Sequence, residues 1–266
     1  MKSTRLLLIL GTATLFGACA PQQEIDDQPN QSILWVRDSA EYVAIARQVY
    51  RAAQIAMPTM VADTSWSALP YQKNAARLPP AIILDIDQTS LTNPIFQAQL
   101  EPPFTERKLN DWSIAHNATP VPGVIAFAKQ AELNGVALFF MTNRACVANP
   151  ENNDPCPQKE VVIQDLLEAG LPATAENVSL SGEGPGWGKE KKTRRDWVAE
   201  NYRVIMLIGD DLSDFIPCVR RRPVAPCTEE GTIASRFAAA AEYNVYWGAG
   251  WYILPNPMHG SWTSVR

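Results

Sequence analysis

Histidine is nearly absent from this chain, with two in 266 residues, and no Cys-x-x-Cys pair occurs. A zinc site therefore has few ligands to draw on. No Gly-x-Ser-x-Gly is present, and His116 and His259 sit in no recognisable triad context, which argues against a serine hydrolase. The glycine-rich stretch 182–189 lacks the first glycine of a P-loop. Glu183 stands at that position, and Glu190 follows Lys189 where a Ser or Thr is required. Basic residues do not exceed acidic ones, 23 against 28, so the electrostatic footprint of a nucleic-acid binder is missing. One segment alone approaches the apolarity of a membrane span, and it lies at the extreme N-terminus.

What is present is an ordinary globular balance, 46% apolar and 19% charged, in a chain long enough for a sizeable buried core. Met1 to Arg5 is short and basic, Leu6 to Leu10 is apolar, and small residues lead to Gly17-Ala18-Cys19. This order reads as a secretory signal peptide over residues 1–18. The Gly-Ala-Cys ending resembles a bacterial lipobox, with Phe16 where Leu is usual, and implies lipid attached to Cys19. Ala20 is not the aspartate associated with inner-membrane retention, so an outer-membrane anchor in the cell envelope is expected. Residues 19–32 then form the lipidated cysteine and a polar tether, and the body spans 33–266.

Four further cysteines remain, and an even number in an oxidising compartment implies disulfides with three connectivities open. Each sequential pair closes a short, proline-containing loop, so Cys146–Cys156 and Cys218–Cys227 are the expected bridges.

Residues 38–57 carry apolar positions at helical spacing, with Asp38 or Ser39 as N-cap and Pro58 as stop. Beyond them, apolar runs at 81–84, 136–141 and 204–208, with a weaker one at 178–180, alternate with helical stretches at 122–134, 159–169 and 191–201. Continuous apolar strands separated by helices predict an α/β architecture, a Rossmann-like three-layer fold with a mostly parallel central sheet and a small helical cap or decorating helices. Such sheets bind ligands at the carboxyl ends of their strands.

Those ends carry Asp85-Ile86-Asp87-Gln88-Thr89, Thr142-Asn143-Arg144 and Gly209-Asp210-Asp211-Leu212-Ser213-Asp214. Carboxylates gathered at one rim repel each other and call for a cation, and oxygen ligands without histidine suit Mg²⁺. The run Lys189 to Arg195 offers a lysine to neutralise a phosphoryl group.

Asp85-x-Asp87-x-Thr89, Thr142 after a strand, a lysine before the last strand and Gly209-Asp210-Asp211-x-x-Asp214 resemble the four motifs of the haloacid dehalogenase superfamily of phosphatases. Ser39-Ala40-Glu41-Tyr42, Leu91-x-Asn93, Val121-Pro122-Gly123 and Leu254-Pro255-Asn256 extend the likeness over residues 33–262 to the class C acid phosphatases, outer-membrane lipoproteins that include 5′-nucleotidases. The resemblance implies a phosphomonoesterase acting on nucleoside monophosphates and other small esters. It implies Asp85 as nucleophile and Asp87 as general acid and base. Thr142 would be a phosphoryl hydrogen-bond donor and Lys191 the fixed positive charge, with Asp214 orienting that lysine or a metal-bound water. Mg²⁺ would be held by Asp85, the Asp87 backbone carbonyl and Asp210. Lys191-x-x-Arg194 and Lys192-x-x-Arg195 both satisfy the family spacing, and Gln88 stands where an acidic residue is usual. Asn143, Phe96 and Trp112 fall at expected substrate-binding positions, the two aromatics as ring-stacking walls or as plain core. A surface lipoprotein serving as a binding or adhesion module, and a phosphotransferase, are the alternatives on the same fold.

Overall fold

The computed structural model describes residues 28–115, 118–148, 151 and 153–265. The expected signal peptide and Cys19, and His116, lie outside the described residues. Two helices lead, α1 (Gln28–Asp38) and α2 (Ala40–Ala62), followed by β1 (Pro80–Leu84) and β2 (Leu91–Thr92). Then come α3 (Pro94–Gln99), α4 (Glu106–Ser113), β3 (Thr119–Pro120), α5 (Val124–Leu133) and β4 (Ala137–Ala145). The chain continues through α6 (Gln158–Glu168), β5 (Val178–Ser181), α7 (Lys192–Asn201), β6 (Arg203–Gly209), α8 (Ile233–Glu242) and β7 (Trp251–Ile253).

Five strands form one parallel sheet in the order β5-β4-β1-β6-β7, and β2 pairs antiparallel with β3 beside it. Alternation along each strand divides the apolar runs between two cores. Ile82, Leu84, Leu138 and Phe140 pack with α2, α5 and α6 on one face. Ala81, Ile83, Phe139 and Met141 face the other way, against Val198 of α7 and Ala239 of α8. Both expected disulfides are present, Cys146–Cys156 and Cys218–Cys227.

Two expectations need correction. Ser39 caps α2 as expected, accepting from the Tyr42 N–H at 3.1 Å, but Pro58 does not stop it. The helix runs on to Ala62 because buried Arg203 donates to the carbonyls of Met60, Val61 and Asp63, satisfying the last turn from outside. Helix α1 begins at Gln28, inside the segment read as a tether, and buries Ile33 and Val36. Finally, β4 reaches Ala145, so Thr142, Asn143 and Arg144 are strand residues rather than a loop after the strand, held there by pairing with β5 up to Ser181.

Candidate active site

The carboxyl ends of β1, β4 and β6 open into a cleft of about 470 Å³. Asp85 follows β1 directly, its N–H donating to the Ile208 carbonyl of β6 at 2.9 Å. From beneath, the Tyr50 hydroxyl of α2 holds the Thr89 carbonyl at 2.8 Å. The loop from Asp85 to Thr89 is thus fixed by two neighbouring elements before any side chain is considered.

Lys191, at the start of α7, is buried and donates to Asp85, and lies 2.7 Å from Asp214. Lys192 points elsewhere, pairing with Asp196 at 2.7 Å and lying over the Tyr71 ring. The geometry therefore separates the two lysines that sequence spacing left equivalent. Carboxylate oxygens of Asp85, Asp210 and Asp214 all lie within 4.8 Å of one another. Burial, then the neighbouring carboxylates, raise Asp85 to about 7 although Lys191 opposes the shift, and raise Asp210 well above the carboxylate range. Burial lowers Lys191, but Asp214 and Asp85 outweigh it and the amine stays raised. A lysine alone leaves this group of acids under-compensated, and an all-oxygen donor set of this size fits a hard divalent cation.

Asp214 also closes the turn after β6. Its Oδ2 accepts from the N–H groups of Asp210 and Asp211 at 3.1 and 3.0 Å. That turn requires Gly209, because a Cβ there would stand 2.6 Å from the Asp214 Cβ. Asp210 is steered by Asn256 at 2.7 Å and Thr89 at 3.3 Å.

Asp87 lives in a different field. Arg144 grips it, Nη2 to Oδ1 at 2.8 Å and Nε to Oδ2 at 3.0 Å, and Asn93 adds a bond at 3.1 Å. Burial pushes Asp87 up, yet the guanidinium more than reverses this and holds it below the usual range. Gln88 orients Asn93 through its amide while accepting from Thr92 at 2.8 Å. The unusual residue at position 88 thus acts on Asp87 through Asn93. Thr142 directs its hydroxyl to Asp87 Oδ2 at 3.3 Å, so a phosphoryl oxygen would compete with that bond. Arg194 of α7, fully buried, bonds the Thr142 carbonyl at 2.5 Å and Asn143 Oδ1 at 2.9 Å, securing the end of β4.

Asp85, Asp87, Asn143, Thr142, Asp210 and Asp214 all line the cleft, and Lys191 lies beneath it. Phe96 and Trp112 do not line it. Phe96 is 4% exposed, with its ring 5.6 Å from that of Trp112 and 6.4 Å from that of Phe104, which is 48% exposed and lines the cleft. Pro94 starts α3 and is itself buried, turning Phe96 inward. Arg144 and Asn256 end the sequence motifs Thr142-Asn143-Arg144 and Leu254-Pro255-Asn256. Both sit beside an aspartate of the rim, and the sequence signal for Arg144 is an arginine two residues after Thr142 at the end of an apolar strand.

Residues 3–262 match the family described as HAD superfamily, subfamily IIIB (acid phosphatase). Among solved structures, the chain is similar to the class C acid phosphatase from Bacillus anthracis with tungstate bound, at 27% identity and a TM-score of 0.70, covering 89% of this chain and 86% of that one. A second structure of the class C acid phosphatase from Bacillus anthracis gives the same values.

Proposed function

The chain belongs to subfamily IIIB of the HAD superfamily, the acid phosphatases, and from that premise we propose a Mg²⁺-dependent phosphomonoesterase that cleaves nucleoside monophosphates and other small phosphate esters through an aspartyl-phosphate on Asp85. The observation that carries this reading is the cluster of Asp85, Asp210 and Asp214 at the floor of the cleft, with buried Lys191 against Asp85 and Asp214.

Asp85, Asp210 and the Asp87 backbone carbonyl would hold the cation. When bound, it supplies charge compensation that lets a carboxylate and a phosphate dianion meet. Asp85 Oδ forms the bond to phosphorus as the ester P–O bond breaks, and the leaving alkoxide takes a proton from Asp87. Lys191 is placed to neutralise charge on Asp85 and on the incoming phosphoryl oxygens. In the second half, Asp87 takes a proton from water, whose oxygen attacks phosphorus and frees Asp85. The Arg144 fork favours the ionised, proton-accepting form of Asp87. The acid half therefore needs Asp87 protonated against that fork, which agrees with action at acid pH.

We propose also that a lipid on Cys19 holds the enzyme at the bacterial cell envelope, on the strength of the Gly17-Ala18-Cys19 pattern. The test of the catalytic reading is hydrolysis of p-nitrophenyl phosphate and a nucleotide panel with Mg²⁺ or EDTA. Asp85→Asn should abolish turnover while circular dichroism stays native. Turnover that survives in Asp85→Asn would remove Asp85 as nucleophile.

A further inference from the structure

We propose that Arg220 forms a second anion-binding subsite in the cleft, selecting phosphomonoesters that carry another negative group on the alcohol side. This rests on the phosphatase reading and extends it to substrate class. The argument begins with how the cations of the cleft are partnered. Lys191 lies against Asp85 and Asp214, Arg144 against Asp87 and Asp165, and Lys189 against Glu106 at 3.1 Å. Arg220 also lines the cleft, yet among the described residues no carboxylate pairs with it. Its Nη2 donates to the Ser213 hydroxyl at 2.7 Å, one residue before Asp214, and its Nε is buried with no acceptor. Asp211 on the same wall is engaged by the Ser213 N–H at 2.9 Å and the Ser261 hydroxyl at 2.6 Å.

The backbone beneath Arg220 is held as a binding group requires rather than left as a loose loop. The Cys218–Cys227 bridge closes the loop that carries it. The Gly231 N–H donates to the Arg220 carbonyl at 2.7 Å, and Arg236 Nη1 holds the neighbouring Val219 carbonyl at 2.8 Å. Gly231 is bare for this purpose, since a Cβ there would lie 2.5 Å from the Val219 carbonyl oxygen. A fixed guanidinium with donors to spare, beside the proposed phosphoryl site, suits a carboxylate or a second phosphate, which it can meet with two parallel bonds.

The experiment compares matched ester pairs with the full enzyme and Mg²⁺: phenyl phosphate against 4-carboxyphenyl phosphate, and adenosine 5′-monophosphate against adenosine 3′,5′-bisphosphate. Wild type should favour the extra anion in kcat/KM by about tenfold in at least one pair, the scale of one charge-assisted bond. Arg220→Gln should collapse that ratio toward one, mainly through KM, and Arg220→Lys should keep part of it. A role confined to bracing Ser213 would lower both members of each pair alike and leave the ratio intact, and that result overturns the proposal. Equal kcat/KM within both pairs in wild type overturns it too, while the phosphatase reading stands. Failure of wild type to hydrolyse any of the four esters would remove both. Thermal melts of the two variants confirm that the compared proteins are folded.

Discussion

Removing the proposed nucleophile should stabilise the metal-free protein at neutral pH. Asp85 has a folded-state value of about 7 against an ordinary 3.8, with burial the main cause and Asp214 and Asp87 adding to it. Between those two values the unfolded chain has released the proton and the native state still holds it. Native stability from this group is thus fully present below pH 4 and declines as pH rises toward 7. About three pH units of such linkage correspond to about 4 kcal/mol, a ceiling for an isolated site. Asp85 shares charge with Asp210 and Lys191, so about half of that, about 2 kcal/mol, is the expected gain in Asp85→Asn. Lys191 keeps its 2.7 Å partner Asp214 after the change, so no buried ammonium is stranded. Thermal denaturation in EDTA at pH 4.5 and 7.5 reads this directly. The variant should exceed wild type at pH 7.5, by about 4–8 °C in melting temperature on the same scale, and match it closely at pH 4.5. A variant less stable than wild type at pH 7.5 would mean that the Lys191 bond outweighs the crowding, and the account of the acidic rim would fail.

Two other outcomes follow from the same geometry. Because Asp85 and Asp210 must both release protons to bind a cation, calorimetric Mg²⁺ affinity should weaken as pH drops from 7.5 to 5.5, with protons liberated on binding, and EDTA should end turnover. Lys191→Met should cost at least about a hundredfold in kcat by loss of a buried charge at the reacting group, whereas Lys192→Met, whose amine faces Asp196 and Tyr71, should stay within about twofold in steady-state kinetics.

The three central strands were readable because each is a continuous apolar run buried on both faces, and the acids that end them fall at the rim that such a topology dictates. Helices α1, α3, α4 and α8 were not. α3 has six residues and α4 eight, too short to show a period, and α8 is ten residues, half of them alanine, none of them fully buried. β7 spans three residues and gains its identity only by pairing with β6. In the site, Asp85, Asp210 and Asp214 were found because they lie in short motifs. The hold on Asp87 is not legible in the sequence, because Arg144 joins Asp87, Ser113 and Asp165, which only the fold brings together. Likewise Phe96 and Trp112 have the right composition for a wall, but Phe96 is turned inward against Trp112 and Phe104, and of these three rings Phe104 lines the cleft.

Gly209 has a consequence for how this protein can change. With no room for even a methyl group between the end of β6 and Asp214, the position admits no experiment by evolution or by the engineer: every codon but glycine's would have to move the carboxylate that braces both the turn and the lysine. Novelty in this cleft has to come from its outer walls, where Phe104 is half exposed and bonds none of the acids of the floor.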